Sequence, residues 1–309
     1  MVFQEAVSKY KEWVRSGKFW RICSWLALAL LIFQITYFLI LYIPELQERW
    51  IDIMPLMKML FLTVLITLLF LLLYRKVFSK NSIVKKLGVI FYRILLSLYL
   101  LQWFFVALYG IINPPITFTQ IGSIFSGYGL QRDYVSYDNI NMNMKLAVLA
   151  SEDQLFTDHD GFDIKAIKLA LKYNKRHPKR TKGASTISQQ TAKNLFLWQT
   201  RNFIRKGLEV YFTFMIETFW TKKKILTRYL NIIETGPGIF GVQAAAQSYF
   251  NKRAKDLTRS ESAMIAAGLP NPKRYTVKPM SNYIRSRYDD ILNQMNNIEP
   301  DPDIQELIQ

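Results

Sequence analysis

Residues 183–197 read GASTISQQTAKNLFL and contain the start signal of an α-helix. Thr186 followed by Gln189 makes a capping box, in which each side chain accepts a hydrogen bond from a backbone amide at the open end of the helix. The sequence therefore predicts a helix that opens at Thr186 and runs to about Trp198. Amides and hydroxyls at such a terminus bind anions or sugar hydroxyls, and Lys193 lies one turn beyond Gln189 on the same face. An ordinary helix cap with no ligand is the alternative.

An acidic segment precedes this helix. Residues 151–163 read SEDQLFTDHDGFD and follow a short apolar stretch over residues 145–151. A carboxylate half removed from water at the end of a buried helix has a raised pKa, which suits a general base, and Glu152 is the candidate. The alternative is that one of the two adjacent acids caps a helix and the other is solvated.

Further helical signals follow on both sides. Residues 205–209 read RKGLE, and both bases lie within one helical turn of the acid, which is the pattern of a catalytic ion pair or of an ordinary surface salt bridge. Asp163 is positioned to cap a helix, and Thr258 with Glu261 forms a second capping box. No strong strand alternation is visible, so we expect a mainly α domain.

The N-terminal third has a different composition. Half of all residues are hydrophobic, and the excess lies before about residue 112, in apolar runs at 22–43, 53–74 and 87–112. Lys and Arg cluster before the first run and between the second and third, which predicts three membrane-spanning helices with a cytoplasmic N-terminus and residues from 113 onward outside. A buried hydrophobic core is the alternative for the runs, and a re-entrant second run would invert the downstream topology.

These observations predict three regions: a membrane domain over residues 1–112, a linker over 113–144 and a catalytic domain over 145–309. The formal charge of +17 indicates an anionic partner. A domain outside the membrane cannot use cytoplasmic nucleic acid, so we expect membrane and substrate partners instead. One cysteine, Cys23, and two histidines cannot build a His/Cys zinc cage.

Five segments in order resemble the five motifs of the peptidoglycan glycosyltransferases over about residues 145–275: SEDQLFTDHDGFD, GASTISQQTAKNLFL, RKGLE, YLNIIETGPGIFGVQAAA and LTRSESAMIAAGLPNP. The fourth segment is closest to the monofunctional branch, and the short remainder of the chain leaves no room for a transpeptidase domain. The resemblance implies a lysozyme-like α-helical domain with a membrane-proximal jaw, anchored in the bacterial cytoplasmic membrane with its catalytic side outside.

The resemblance also implies the reaction, an inverting transfer from a growing lipid-linked glycan strand to lipid II with release of polyprenyl diphosphate. Glu152 would deprotonate the 4-hydroxyl of the acceptor sugar. Glu209 would act at the diphosphate, directly or through a divalent cation such as Mg²⁺ or Mn²⁺, and no organic cofactor or dedicated metal-binding residue is implied. The substrate-binding positions carried over are Asp153, Phe156, His159, Ser185, Thr186, Gln189, Gln190, Lys193, Asn194, Arg201, Arg205 and Lys206, of which Lys193, Arg201 and Lys206 match phosphate-holding positions.

Two departures from the family pattern are visible. Ala184 and Ser188 stand where Gly and Thr are commoner, and three predicted spans stand where monofunctional members usually have one. The extra spans suggest contacts with other cell-wall synthesis or division proteins. A lysozyme-like muramidase and a catalytically idle cell-wall scaffold are the competing functions, although intact Glu152 and Glu209 argue against the scaffold.

Overall fold

A computed structural model describes residue 5, residue 17 and residues 19–34, 82–178, 182–200 and 202–309. Internal contacts divide the chain into two compact units, Met1–Phe105 and Val106–Gln309. The described part is mainly helical, as the sequence predicts.

The first unit contains helix α1, Phe19–Gln34, and most of helix α2, Ser82–Ile111. Within α2, residues Lys86–Ile111 are long and apolar enough to cross a membrane, and α1 is a shorter apolar helix. The two helices share hydrogen bonds, among them a 2.7 Å contact between the Ser24 and Tyr92 hydroxyls. The predicted span at 53–74 and the second half of the predicted span at 22–43 lie outside the described residues. One of the three predicted spans therefore has a full-length candidate helix in the part of the chain that is described.

The second unit begins with secondary structure where a linker was predicted. Helix α3, Phe118–Phe125, opens with a capping box between Thr117 and Gln120, and strand β1 covers Gln131–Arg132. Thr119 and Gln120 are buried, and the β1 backbone amide of Gln131 donates to Gly238 at 2.7 Å. Elements of eight and two residues are too short to show periodicity in the sequence, which is why this segment reads as a linker although it packs within the second unit.

Helix α4, Met142–Glu152, forms the centre of this unit. Its residues from Met144 to Ala150 are almost completely buried, which explains why the helix has no polar face. It packs against helices α10, Arg259–Gly268, α11, Asn282–Ile298, and α12, Pro302–Ile308. The α4 C-terminus, where Glu152 lies, is thereby held rigidly by the core.

A second layer carries the other sequence motifs. Helix α6, Ile187–Phe196, packs against α7, Phe203–Phe219, and α8, Lys222–Ile232. The predicted capping box of α6 is confirmed, and so are the Thr258 box of α10 and the Asp163 cap of helix α5, Ile164–Arg176. Among the described residues, the remaining α-helix is α9, Val242–Phe250, and short 3₁₀ helices cover Tyr137–Asn139 and Ala254–Asp256.

Three very short strands were not foreseen. They form a sheet in the order β1, β3, β2, with β2 at Glu234–Gly236 antiparallel to β3 at Ile239–Phe240 and β1 parallel to β3. Gly238 sits in the turn at φ +72°, where a Cβ would lie 2.1 Å from the Tyr128 carbonyl oxygen. Only glycine fits this turn, so the Gly-Pro-Gly sequence fixes the strand that carries Glu234.

Candidate active site

Glu152 occupies the last position of α4 and is half-buried. Its Oε2 accepts a 2.8 Å hydrogen bond from the Gln190 side-chain amide on α6. Burial raises the pKa of Glu152, while the Gln190 amide and the charges of Arg287 and Lys193 act in the opposite direction. A carboxyl with a raised pKa and a neutral hydrogen-bond partner has the properties of a general base.

Asp153, the neighbour of Glu152, serves the scaffold. Its buried carboxylate accepts a 2.9 Å hydrogen bond from the Ile187 amide, and its other oxygen lies 3.0 Å from His159 Nε2. His159 Nδ1 in turn accepts from the Gly161 amide at 3.1 Å. Asp153 therefore ties the end of α4 to the start of α6, and its two oxygens already have protein partners.

Phe156 is also directed inward. It is 1% exposed, and the Lys222 ammonium lies 4.7 Å from its ring centre. A side chain with this burial packs the core behind the site, so it has no surface left for a substrate. The placement of Asp153, Phe156 and His159 at the substrate stays a prediction, and these contacts hold the three side chains to the rest of the protein.

Residues at the start of α6 have two roles: some cap the helix, and others contact the glutamate or lysine side chains of the site. Thr186 and Gln189 bond each other's backbone amides, and the Thr186 hydroxyl also donates to the Gly161 carbonyl at 2.7 Å. Both are buried in the cap itself. Gln190, in contrast, faces Glu152, and the Ser185 hydroxyl accepts a 3.4 Å hydrogen bond from Lys206.

Glu209 lies on α7 between two cations. Arg205 Nη1 donates to one carboxylate oxygen at 2.7 Å, and Lys206 Nζ donates to the other at 2.5 Å. The Glu209 and Arg205 side chains are 4% and 10% exposed, whereas that of Lys206 is 46% exposed. The predicted ion pair is therefore buried at Arg205 and open to solvent at Lys206.

Lys193 lies within electrostatic range of both glutamates. Burial lowers its pKa, and Arg205 and Lys206 lower it further, whereas the charges of Glu209 and Glu152 raise it. Both predicted catalytic carboxylates therefore lie within electrostatic range of the same ammonium group.

One predicted binding residue, Asn194, has its hydrogen-bond contact with another helix. Asn194 is buried, and its side-chain oxygen accepts a 3.4 Å hydrogen bond from Thr119 of α3. Asn194 thus fastens α3 to α6. Arg201 lies outside the described residues.

Three further residues belong to the site and were not singled out from the sequence. Arg287 of α11 acts on Glu152, and the fully buried Tyr229 of α8 hydrogen-bonds Gln190 at 3.3 Å. Glu234 of β2 lies 3.5 Å from Lys273, and burial raises its pKa against the opposing charges of Lys273 and Lys193. Tyr229 and Glu234 stand inside the fourth motif, so the motif itself was the available signal, whereas nothing local marks Arg287.

The arrangement defines the class of protein. A carboxyl suited to accept a proton lies in one site with Lys193, Arg205 and Lys206, which can stabilise negative charge on a departing group. That combination is suited to a transfer reaction with an anionic leaving group, which is how a glycosyltransferase that uses a diphosphate donor works.

Comparisons with known proteins agree with this class. A family model described as Transglycosylase matches residues 119–296. The biosynthetic peptidoglycan transglycosylases of Shigella boydii serotype 4 (strain Sb227) and Escherichia coli (strain K12 / DH10B) are each 56% identical over 179 residues, which is 58% of this chain and 74% of the relative. The chain belongs to the transglycosylase family. The matched region starts inside the segment predicted as a linker, in agreement with its place in the second unit.

Proposed function

We propose that this enzyme joins lipid II units into peptidoglycan glycan strands with Glu152 as general base and Lys193, Arg205 and Lys206 as the cations beside the leaving diphosphate. Peptidoglycan polymerisation is the activity that its family and its relatives support. The observation that carries the division of labour is the contrast between Glu152, whose partner is the neutral Gln190 amide, and Glu209, whose partners are two cations.

On the acceptor side, Glu152 takes the proton of the 4-hydroxyl as that oxygen attacks the anomeric carbon of the donor strand. The bond from that carbon to the diphosphate breaks, and the electron pair leaves with the diphosphate. A single displacement inverts the configuration, so an α-linked donor yields a β-linked strand without a covalent glycosyl-enzyme.

On the donor side, the leaving diphosphate is a stable anion and needs positive charge rather than a proton. Glu209 holds Arg205 and Lys206 in place, and the more exposed Lys206 is the cation able to reach a substrate. A muramidase would need a protonated acid for its sugar leaving group, and the cation cluster is poorly suited to that role. Neither the muramidase nor the idle scaffold is favoured by the family match.

A divalent cation at Glu209 stays a prediction. Within the described residues no three acidic, His or Cys side chains converge, and both Glu209 oxygens accept from cations. Mg²⁺ is usually held by one or two carboxylates together with substrate phosphates, so Glu209 would contribute a ligand only after Lys206 moves away. Dependence of the activity on added Mg²⁺ or Mn²⁺ after chelation tests this point.

The proposal also includes attachment to the membrane. The catalytic domain is lysozyme-like, has a membrane-proximal jaw and lies on the outer side of the cytoplasmic membrane. It follows several membrane spans, and the N-terminus is cytoplasmic. Large exposed apolar side chains on α3 and at the start of α7 support a surface that meets lipid, since Phe125 is 87% exposed, Phe203 98% and Ile204 74%. The span candidate Lys86–Ile111 supports an anchor. Lipid II and the growing strand are both lipid-linked, so such a surface would lie beside the substrate.

The reaction is tested with the purified full chain in detergent and labelled lipid II. We expect β-linked polymers on a gel and no glycosylated protein by mass spectrometry at any stage of turnover. A trapped covalent glycosyl-enzyme would contradict the role of Glu152 as base. Cleavage of finished strands without polymerisation would revive the muramidase.

The topology is tested with reporter fusions. A reporter that is active only outside the cytoplasm should work when fused after Gln309 and fail when inserted beside Lys80. The reverse pattern would contradict both the predicted orientation and access to an outer-leaflet substrate.

A further inference from the structure

Two consecutive hydrogen bonds link the buried Tyr229 to Glu152 through the side chain of Gln190. The Tyr229 hydroxyl on α8 donates to the Gln190 side-chain oxygen at 3.3 Å, and the Gln190 amide nitrogen donates to Glu152 at 2.8 Å. Tyr229 is 0% exposed, so it is out of reach of any substrate. The two hydrogen bonds join three helices, α8, α6 and α4, and end on the proposed base.

We infer that Tyr229 is a positioning residue for the transfer reaction, because its hydroxyl fixes the orientation of the Gln190 amide and thereby keeps an N–H group on Glu152. This inference rests on the proposed role of Glu152 as general base.

The physical reason lies in the two ends of a glutamine amide, which have similar shapes and opposite polarity. The nitrogen donates, whereas the oxygen only accepts and would repel a carboxylate. A hydroxyl that donates to the amide oxygen selects the orientation that places the nitrogen on Glu152. Burial raises the pKa of Tyr229 well above its ordinary value, so its hydroxyl keeps its proton and stays a donor at every pH where the enzyme works.

The alternative orientation is unfavourable at both ends of the amide. With the amide reversed, its nitrogen would face the Tyr229 oxygen, and the hydroxyl proton would need another acceptor. Among the residues that the structure describes, Gln190 is the hydrogen-bond partner found for the Tyr229 hydroxyl. An unpaired buried hydroxyl and a carbonyl facing a carboxylate both cost free energy.

Several charged groups surround Glu152. Lys193 of α6 and Arg287 of α11 favour the ionised form, Asp153 beside it and burial disfavour that form, and the Gln190 amide favours it by direct hydrogen bonding. Burial and the charges of Glu152 and Asp153 raise the pKa of Tyr229 on α8, so Tyr229 stays neutral. Loss of the amide N–H would therefore leave burial less opposed, and the pKa of Glu152 would rise further.

The test is the pH dependence of kcat/KM for lipid II polymerisation by the full-length Tyr229→Phe enzyme. Activity should depend on ionised Glu152, so its acid limb should move to higher pH. We expect about threefold to tenfold lower activity on the acid side, recovered as the pH rises, since one pKa unit corresponds to tenfold. KM should stay unchanged because Tyr229 does not meet the substrate.

Gln190→Met gives the stronger version of the same change, because it removes the donor itself. Its acid limb should move at least as far, and adding Tyr229→Phe should move it no further, since Tyr229 acts through Gln190. Tyr249→Phe is the matched control. The Tyr249 hydroxyl donates to the Thr235 carbonyl at 3.0 Å and takes no part in the hydrogen bonds to Glu152, so its loss should leave the pH profile unchanged.

An unchanged acid limb in either Tyr229→Phe or Gln190→Met would overturn the inference, and so would an additional shift in the double variant. Gln190→Met supplies this answer even if Tyr229→Phe does not fold. Glu152→Gln in the same assay separates the two claims: retained turnover there removes the base itself, whereas an inactive Glu152→Gln with unshifted Tyr229→Phe removes only the positioning role.

Discussion

Glu152 and Glu209 are the same residue type in one site, and their surroundings are opposite. Glu152 ends a helix whose core is apolar, and its direct partner is a neutral amide at 2.8 Å. Glu209 lies mid-helix with Arg205 at 2.7 Å and Lys206 at 2.5 Å. A half-buried carboxyl with a neutral partner is free to accept a proton, whereas one between two cations organises positive charge. The groups that contact each glutamate therefore decide whether it accepts a proton or holds cations, since the residue type is the same at both positions.

Glu152→Gln should remove the proton acceptor and have the largest effect on polymerisation activity. The amide keeps the shape of the side chain and loses the base, so polymerisation should fall by about 10²- to 10⁴-fold while lipid II binding persists. Product gels and a binding titration measure the two quantities. Asp256→Asn, which alters an exposed acid paired with Arg253, should remain fully active. Turnover near that of the unmodified enzyme would exclude Glu152 as the base.

Glu209→Gln should weaken the ion pairs of Glu209 with Arg205 and Lys206, and both the stability and the activity of the enzyme should fall. The Arg205 side chain is only 10% exposed, so removing its carboxylate partner leaves a buried cation uncompensated. Losses of this kind cost about 3–5 kcal/mol, and we expect a clearly lowered Tm. Asp256→Asn again serves as control, because its pair with Arg253 is open to solvent and should contribute little. A Tm equal to that of the unmodified protein would show that Arg205 does not depend on Glu209.

Lys193→Arg tests the cation on which both glutamates act electrostatically. Burial lowers the pKa of Lys193, so its charge is lost as the pH rises through that lowered value. Activity that needs this cation should fall with it on the alkaline side. Arginine stays charged throughout, so the variant should extend the alkaline limb of kcat/KM to higher pH. Lys252→Arg, at a cation paired with Glu261, is the matched control. An alkaline limb that does not move would assign it to another group.

Local signals in the sequence accounted for much of the fold. Capping depends on residues three positions apart, so the boxes at Thr186 and Thr258 and the cap at Asp163 could be predicted correctly. The order of the five segments identified the family. Helix α3 and the three strands were missed because elements of two to eight residues carry too little periodicity.

The site itself was only partly predictable, because side-chain direction depends on tertiary packing. Asp153 and Phe156 stand in the same motif as Glu152, yet one bonds the Ile187 amide and the other is 1% exposed. The charge of Arg287 acts on Glu152 from a helix far along the chain, and no local pattern marks this residue. Spacing can predict which residues share a helix face, whereas a contact between distant helices appears only once the chain has folded.

The smallest expected effect concerns the pH dependence of stability, and it distinguishes the surroundings of Glu152 from those of an ordinary exposed acid. Burial raises the pKa of Glu152 above the ordinary value of 4.5, so the folded state holds this proton at pH values where the unfolded state has released it. Stability therefore falls as the pH rises from that ordinary value through the raised one. Glu152→Gln does not titrate, so its stability relative to the unmodified protein should increase across this window and level off above it. Asp256 should show the opposite sign, because its hydrogen bond with Arg253 lowers its pKa. Asp256→Asn should therefore become less stable relative to the unmodified protein as the pH rises.

Thermal unfolding of the full chain in detergent over a pH series measures both variants. A Glu152→Gln difference that is independent of pH, or that has the sign expected for Asp256→Asn, would mean that Glu152 is not held in the desolvated state on which its role as a base depends.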